Sequence, residues 1–161
     1  LRRLQAALAR LKLPPVPRLV ADATRPLPFR SDCRFDGILI DAPCSGLGVI
    51  RRHPELKWRR QPQDFAAFAA RQRAMLRQAA PYLQLGGRLV YVTCTTEPEE
   101  NEAVIADFLQ KHPDFTLLTD PEAFPAWVRP FLESDGFFRT LPERHGLDGF
   151  FAATLTRSRE N

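Results

Sequence analysis

The chain has 161 residues, 44% of them hydrophobic and 26% charged, with 12 Phe, 2 Trp, 2 Tyr and a formal net charge of +4. A length of this order supports one hydrophobic core, and the aromatic content excludes a disordered chain, because bulky apolar surface offsets the entropy of ordering the backbone. The longest apolar runs, Ile38-Leu39-Ile40 and Leu89-Val90-Tyr91-Val92, fall far short of the roughly 20 residues that a membrane-crossing helix needs, and no membrane partner is expected.

Leu1, Leu4, Leu8 and Leu11 follow helical spacing, which predicts an amphipathic helix over 1–13, stopped by Pro14, Pro15 and Pro17. Because that periodicity is under way at the first residue, the chain is expected to be truncated at its N-terminal side. Residues 18–22 read as a short strand ending on Asp22, followed by turn-forming Pro26 and Pro28. Residues 35–41 read as a second, ending on Asp41 and running into the turn Ala42-Pro43-Cys44-Ser45-Gly46. A helix is predicted over 63–83, with Pro62 at its first turn and Phe65, Phe68, Met75, Leu76 and Ala79 along one side. Gly86-Gly87 makes a turn into a strand over 88–94. A helix over 97–111 follows, its first turns carrying Glu97, Glu99, Glu100 and Glu102, charges that complement the helix dipole. Residues 115–118, 137–141 and 150–156 are further strands, with Leu147-Asp148-Gly149 at a turn. This alternation predicts an α/β fold with a mostly parallel sheet closed at its C-terminal edge by antiparallel strands. No repeat or linker divides the chain.

Charge is unevenly distributed along the sequence. Between Ser45 and Ala80 eight basic residues face only Glu55 and Asp64, whereas from Thr93 to Asp135 ten acidic residues face only Lys111 and Arg129. A lopsided molecule is expected. The run Arg51-Arg52-His53-Pro54-Glu55-Leu56-Lys57-Trp58-Arg59-Arg60 combines positive charge with an aromatic ring, a composition suited to phosphate contacts and base stacking. A solvated basic loop is the alternative.

In an open parallel sheet, ligands bind beyond the carboxyl ends of the strands. The strand ends read here carry Asp22, then Asp41 with Cys44, then Cys94; if the last two strands are neighbours, roughly 5 Å apart, two thiols and a carboxylate share one cleft. Cys33, in a loop with no partner motif, reads as a small buried hydrophobe. A metal site finds little support, since His53, His112 and His145 are scattered and no Cys-x-x-Cys spacing occurs. A disulfide switch between Cys44 and Cys94 remains open on geometry. Three cysteines cannot all pair within one chain, and no leader segment is visible, so a reducing, cytoplasmic location is expected.

The segments Asp41-Ala42-Pro43-Cys44-Ser45-Gly46-Leu47-Gly48, Arg51-Arg52-His53-Pro54-Glu55-Leu56-Lys57-Trp58, Tyr91-Val92-Thr93-Cys94-Thr95-Thr96 and Glu97-Pro98-Glu99-Glu100-Asn101-Glu102, with the closing Asp148-Gly149-Phe150-Phe151-Ala152-Ala153, strongly resemble the Nop/Sun family of S-adenosylmethionine-dependent RNA cytosine-5 methyltransferases. Within that family they look most like the bacterial small-subunit ribosomal RNA enzymes of the Sun type. The resemblance implies a Rossmann-like class I methyltransferase sheet, S-adenosylmethionine as cofactor and RNA as partner, ribosomal RNA before transfer RNA. Carbon 5 of cytosine is a poor nucleophile until a thiolate adds to carbon 6. By resemblance Cys94 supplies that thiolate, and Cys44 assists product release. Asp41 binds the cytosine edge or the amino-acid end of the cofactor, Pro43 lines the cofactor site, and Asp22 holds the adenine. Lys57, Arg51 and Arg52 become substrate contacts. Two alternatives stay open: Cys44 as nucleophile, as in the DNA cytosine-5 enzymes, and a noncatalytic RNA-binding module that kept the fold.

The glycine-rich turn after a first strand and the acidic end of a second, both implied by the resemblance, are not found: the first glycine is Gly37, inside a strand. The chain therefore reads as the C-terminal part of a catalytic domain, over 1–161, expected to bind the cofactor weakly and to be inactive alone.

Overall fold

Strand pairing sets the architecture. In a computed structural model, which describes residues 2–158, the elements run α1 (Arg2–Arg10), β1 (Phe35–Asp41), α2 (Leu56–Arg59), α3 (Pro62–Ala79), β2 (Leu83–Thr93), α4 (Glu102–Lys111), β3 (Phe115–Leu117), β4 (Phe138–Thr140), α5 (Pro142–His145) and β5 (Phe150–Arg157). The strands form one mixed sheet in the order β1-β2-β5-β3, with β4 also on β5. β1 and β2 are parallel, in the register Ile40 to Tyr91 and Asp41 to Val92. β5 runs antiparallel to β2, and β3 and β4 pair with opposite halves of β5. The expected α/β sheet with an antiparallel C-terminal edge is thus present, and parallel pairing within it is confined to β1 and β2.

Alternation along the strands divides the sheet into two faces. Leu89, Tyr91 and Thr93 of β2 and Phe151, Ala153 and Leu155 of β5 point into the core. They meet Ala69, Leu76 and Ala79 of α3 and Val104, Ile105 and Phe108 of α4. On the other face, Val90, Val92, Ala152 and Thr154 line an apolar cleft of about 510 Å³ roofed by Phe124, Trp127 and Val128. Among the described residues no helix is long and apolar enough to cross a membrane.

Four expectations are corrected. Residues 18–22 form no strand: among the described residues nothing pairs with the outer edge of β1, and a segment without a ladder partner has no reason to hold extended geometry. Asp22 instead caps a surface turn, accepting from the amide and hydroxyl of Thr24 at 2.9 and 2.7 Å. Those bonds hold its carboxyl below the usual range. Second, α3 ends at Ala79, and β2 starts at Leu83, so Gly86-Gly87 lies inside the strand. The register jumps there, Phe35 facing Leu83 and Gly37 facing Arg88, and the extra residues bulge out at Gly86, whose φ of 78° needs glycine. Third, the 97–111 helix is broken: a 3-10 turn over Pro98–Glu100 precedes α4, and Asn101 takes φ −114° and ψ −97°. Fourth, α1 spans Arg2–Arg10 and buries no side chain; Leu1 lies outside the described residues.

Candidate active site

The parallel pair brings the predicted centre together. Asp41 ends β1, Cys44 follows three residues on, and Cys94 follows directly after β2. Sγ of Cys44 and Sγ of Cys94 lie 3.2 Å apart, and the amide of Cys94 donates to Sγ of Cys44 at 3.3 Å. With that acceptor position filled, the Cys44 S–H is free to donate to Cys94. The hydrogen bond from Cys44 lowers the Cys94 thiol to about 7, ahead of partial burial and of the charges of Asp41 and Glu100, which oppose ionisation. Cys44 is pushed strongly up, first by its hydrogen bond to Cys94, then by burial and by the charge on Cys94. Hydrogen bonding within the pair thus favours ionisation at Cys94 and opposes it at Cys44.

The two loops are tied where they cross. Gly46, at φ 77°, turns the chain after Ser45 into a 3-10 segment over Leu47–Val49. The amide of Gly48 donates to the carbonyl of Cys94 at 3.0 Å, and the amide of Gly149 donates to the carbonyl of Gly48 at 2.7 Å. A Cβ at Gly48 would collide with the Gly149 carbonyl, so glycine there is a requirement of close approach.

The remaining predicted residues divide. Asp41 is exposed and its carboxylate makes no hydrogen bond to any described residue. Pro43 is exposed beside it, its carbonyl accepting from Gln72 at 3.0 Å. Arg51 and Arg52 converge on the buried carboxylate of Asp148, at 2.5 and 2.7 Å. Their first task is to neutralise it, and both arginine side chains stay largely exposed, at 45% and 69%. Arg60 donates to the carbonyl of Ser45 at 2.6 Å and lies over the ring of Phe68. Lys57 stays exposed, 5.6 Å from the centroid of Trp58, itself 80% exposed. Asp22 stands apart on its surface turn, and Cys33 is a free, half-buried thiol. No cluster of three or more metal-ligating side chains occurs among the described residues.

Sequence reasoning missed the buried polar cluster behind the thiols. Glu100, Asn101, Gln72, Ser45, Thr93 and Thr95 are all buried. Gln72 carried a legible signal, since it falls on the same helical stripe as Ala69, Leu76 and Ala79. Glu100 was hidden in an acidic run that a helix dipole explained equally well.

A mixed sheet with α3 and α4 packed on one face and a polar centre beyond the carboxyl ends of its parallel pair fits part of a Rossmann-like α/β methyltransferase fold. Comparison with known proteins narrows the class: the family model for the 16S rRNA methyltransferase RsmB/F matches residues 1–156, and the chain belongs to that family. It is 47% identical over 125 residues to the probable ribosomal RNA small subunit methyltransferase B of Bacillus subtilis, covering 77% of this chain and 28% of that protein. Among solved structures, PH0851 superposes with a TM-score of 0.82 at 36% identity, covering 97% of this chain and 34% of the other. NSun6 from Pyrococcus horikoshii, solved with SFG, superposes with a TM-score of 0.79 at 30% identity, covering 99% and 39%. The chain thus spans about a third of the length of these proteins.

Proposed function

We propose that residues 1–161 form the C-terminal part of the catalytic domain of an enzyme that transfers a methyl group from S-adenosylmethionine to carbon 5 of a cytosine in 16S ribosomal RNA, acting in the cytoplasm. The observation that carries this reading is the thiol pair: two cysteines 3.2 Å apart at the ends of adjacent parallel strands, one of them lowered to about 7. The residues beside the pair fit the cofactor in chemistry. The carboxylate of Asp41, without a partner among the described residues, suits its ammonium group, and exposed Pro43 offers an apolar wall; Asp22, apart from them on its surface turn, is the kind of acceptor an adenine amino group takes. When bound, the cofactor supplies an electrophilic methyl group.

Cys94 adds as thiolate to carbon 6 of the cytosine, which makes carbon 5 nucleophilic enough to take the methyl group. Bonding of the Cys94 sulfur to carbon 6 removes both its negative charge and its capacity to take the hydrogen bond from Cys44. Those two influences hold the Cys44 proton in place, so Cys44 becomes more acidic once the adduct forms. Once it has given that proton to solvent, the Cys44 thiolate takes the carbon 5 proton, and the electron pair left at carbon 5 expels Cys94 from carbon 6 as a thiolate, freeing the methylated base. Lys57 and the outer N–H groups of Arg51 and Arg52 contact substrate phosphates.

A chimera in which this chain replaces the matching segment of the Bacillus subtilis relative tests the reading in a strain lacking that relative. Base-resolution mapping of 16S ribosomal RNA is expected to show a 5-methylcytosine that depends on Cys94. A folded chimera that leaves the RNA unmodified, or a Cys94→Ala chimera that still modifies it, would overturn the proposal.

A further inference from the structure

Glu100 is fully buried and forms no ion pair among the described residues. Burial of a charged acid without a cation is costly, and hydrogen bonds to it offset part of that cost. Its Oε2 accepts from the amide of Ser45 and from Nε2 of Gln72, both at 2.9 Å. The same Gln72 nitrogen donates to the carbonyl of Pro43 at 3.0 Å. The residues on both sides of Cys44 are therefore held by one carboxyl and amide pair.

The next residue does the same for the other thiol. Nδ2 of Asn101 donates to the carbonyl of Thr95 at 3.0 Å, and its Oδ1 accepts from the hydroxyl of Thr93 at 2.6 Å. Thr93 and Thr95 flank Cys94. A crossbar joins the halves, Oγ of Ser45 lying 2.8 Å from Oγ1 of Thr95, and the hydroxyl of Tyr91 anchors the carbonyl of Glu100 at 2.6 Å. The break between the 3-10 turn and α4 at Asn101 lets consecutive side chains reach two different loops.

A merely structural core would place an apolar residue at position 72, on the stripe between Ala69 and Leu76. Gln72 and Glu100 also leave one oxygen each buried without a partner, which packing alone would not favour. We propose that Gln72, Glu100 and Asn101 are positioning residues that hold the two cysteine loops together and keep Sγ of Cys44 in contact with Sγ of Cys94. The catalytic meaning of this clamp rests on the roles proposed above for the two cysteines, whereas its geometry does not.

The test uses the chain itself and reads thiol chemistry, not methyl transfer. Alkylation of Cys94 by iodoacetamide is followed from pH 5.5 to 9.5 by peptide mass spectrometry, with circular dichroism reporting folding. Glu100→Ala, Asn101→Ala and Gln72→Leu are each expected to lower the rate at pH 7 by at least about threefold while leaving the rate at pH 9.5 nearly unchanged, because a loosened pair loses the hydrogen bond that favours the thiolate. Glu100→Gln, which keeps an acceptor for the amide of Ser45, is expected to restore the rate to within about twofold. Should Glu100→Ala fail to fold, Gln72→Leu, which keeps the helix apolar and filled, decides. Folded variants with an unchanged pH profile would overturn the clamp and leave the proposed reaction standing; a failed methylation assay with the profile shifted would do the reverse.

Discussion

At the scale of single residues, the site depends on an asymmetry between two chemically identical side chains. Sγ of Cys44 accepts from the amide of Cys94 and lies 3.2 Å from its Sγ, and the hydrogen bond between the thiols lowers Cys94 while raising Cys44. Removing Cys44 in Cys44→Ala is expected to let Cys94 return toward an ordinary thiol near 8.5, cutting its thiolate fraction at pH 7 about fifteenfold. The sign follows from a lowered thiol: the reactive form is present above about pH 7 in the native pair and is lost as pH falls through that value. Alkylation rates of native and Cys44→Ala protein across pH 6 to 9 check this, and superimposed profiles would contradict it. The thiols were legible because each stands just past an apolar run, where a strand end meets solvent. Glu100 and Asn101 were not, because an acidic residue near a helix start has a local explanation, and only the tertiary fold shows that one turns inward.

Among the elements, β1 was readable to the residue, expected over 35–41 and found at Phe35–Asp41, whereas β2, with the same kind of apolar run, starts five residues before the expected 88. Residues 18–22 have a similar composition without a neighbouring strand, and strand formation depends on that neighbour more than on local preference. The segment after Gly46 shows the same limit in its charges. Asp148, far away in sequence, claims Arg51 and Arg52, whereas Lys57 and Arg59 on α2 have no ion-pair partner among the described residues. The two sets should respond differently. Arg51→Gln with Arg52→Gln strands a buried carboxylate and is expected to destabilise the fold by about 2 kcal/mol, less than for a fully buried pair because both arginines reach solvent. Lys57→Gln is expected to leave stability within about 0.5 kcal/mol while reducing the salt dependence of RNA binding by about one phosphate contact. Urea unfolding and fluorescence anisotropy at several salt concentrations separate these effects; a destabilised Lys57→Gln protein would contradict the assignment.

For the whole molecule, pairing moderates the lopsidedness expected from the sequence. Arg139 alone binds Glu102, Glu133 and Asp135, Arg157 binds Asp114, and Arg129 binds Glu122. Much of the acidic block is thereby neutralised, while Lys57 and Arg59 of α2 keep exposed positive charge on the segment whose next residue, Arg60, donates to the carbonyl of Ser45. Among the described residues nothing pairs with the outer edge of β1, where Leu39 is 70% exposed, and Asp22 sits on a surface turn. A cofactor held by Asp41 and Pro43 would therefore meet one wall of a pocket. The chain by itself is accordingly expected to bind S-adenosylmethionine more weakly than micromolar and to turn over no substrate; isothermal titration giving micromolar affinity would contradict this.

The central claim is that Cys94 forms the bond to carbon 6 and Cys44 lets it go. Covalent trapping in the chimera with the Bacillus subtilis relative tests it most directly, using S-adenosylmethionine and an RNA substrate carrying 5-fluorocytosine, whose fluorine cannot leave as a proton does. The native chimera should form a denaturant-resistant complex with this RNA, and Cys94→Ala should form none. With unmodified RNA, Cys44→Ala should accumulate the complex that the native chimera releases. A complex formed by Cys94→Ala and lost in Cys44→Ala would reverse the two roles and contradict the account.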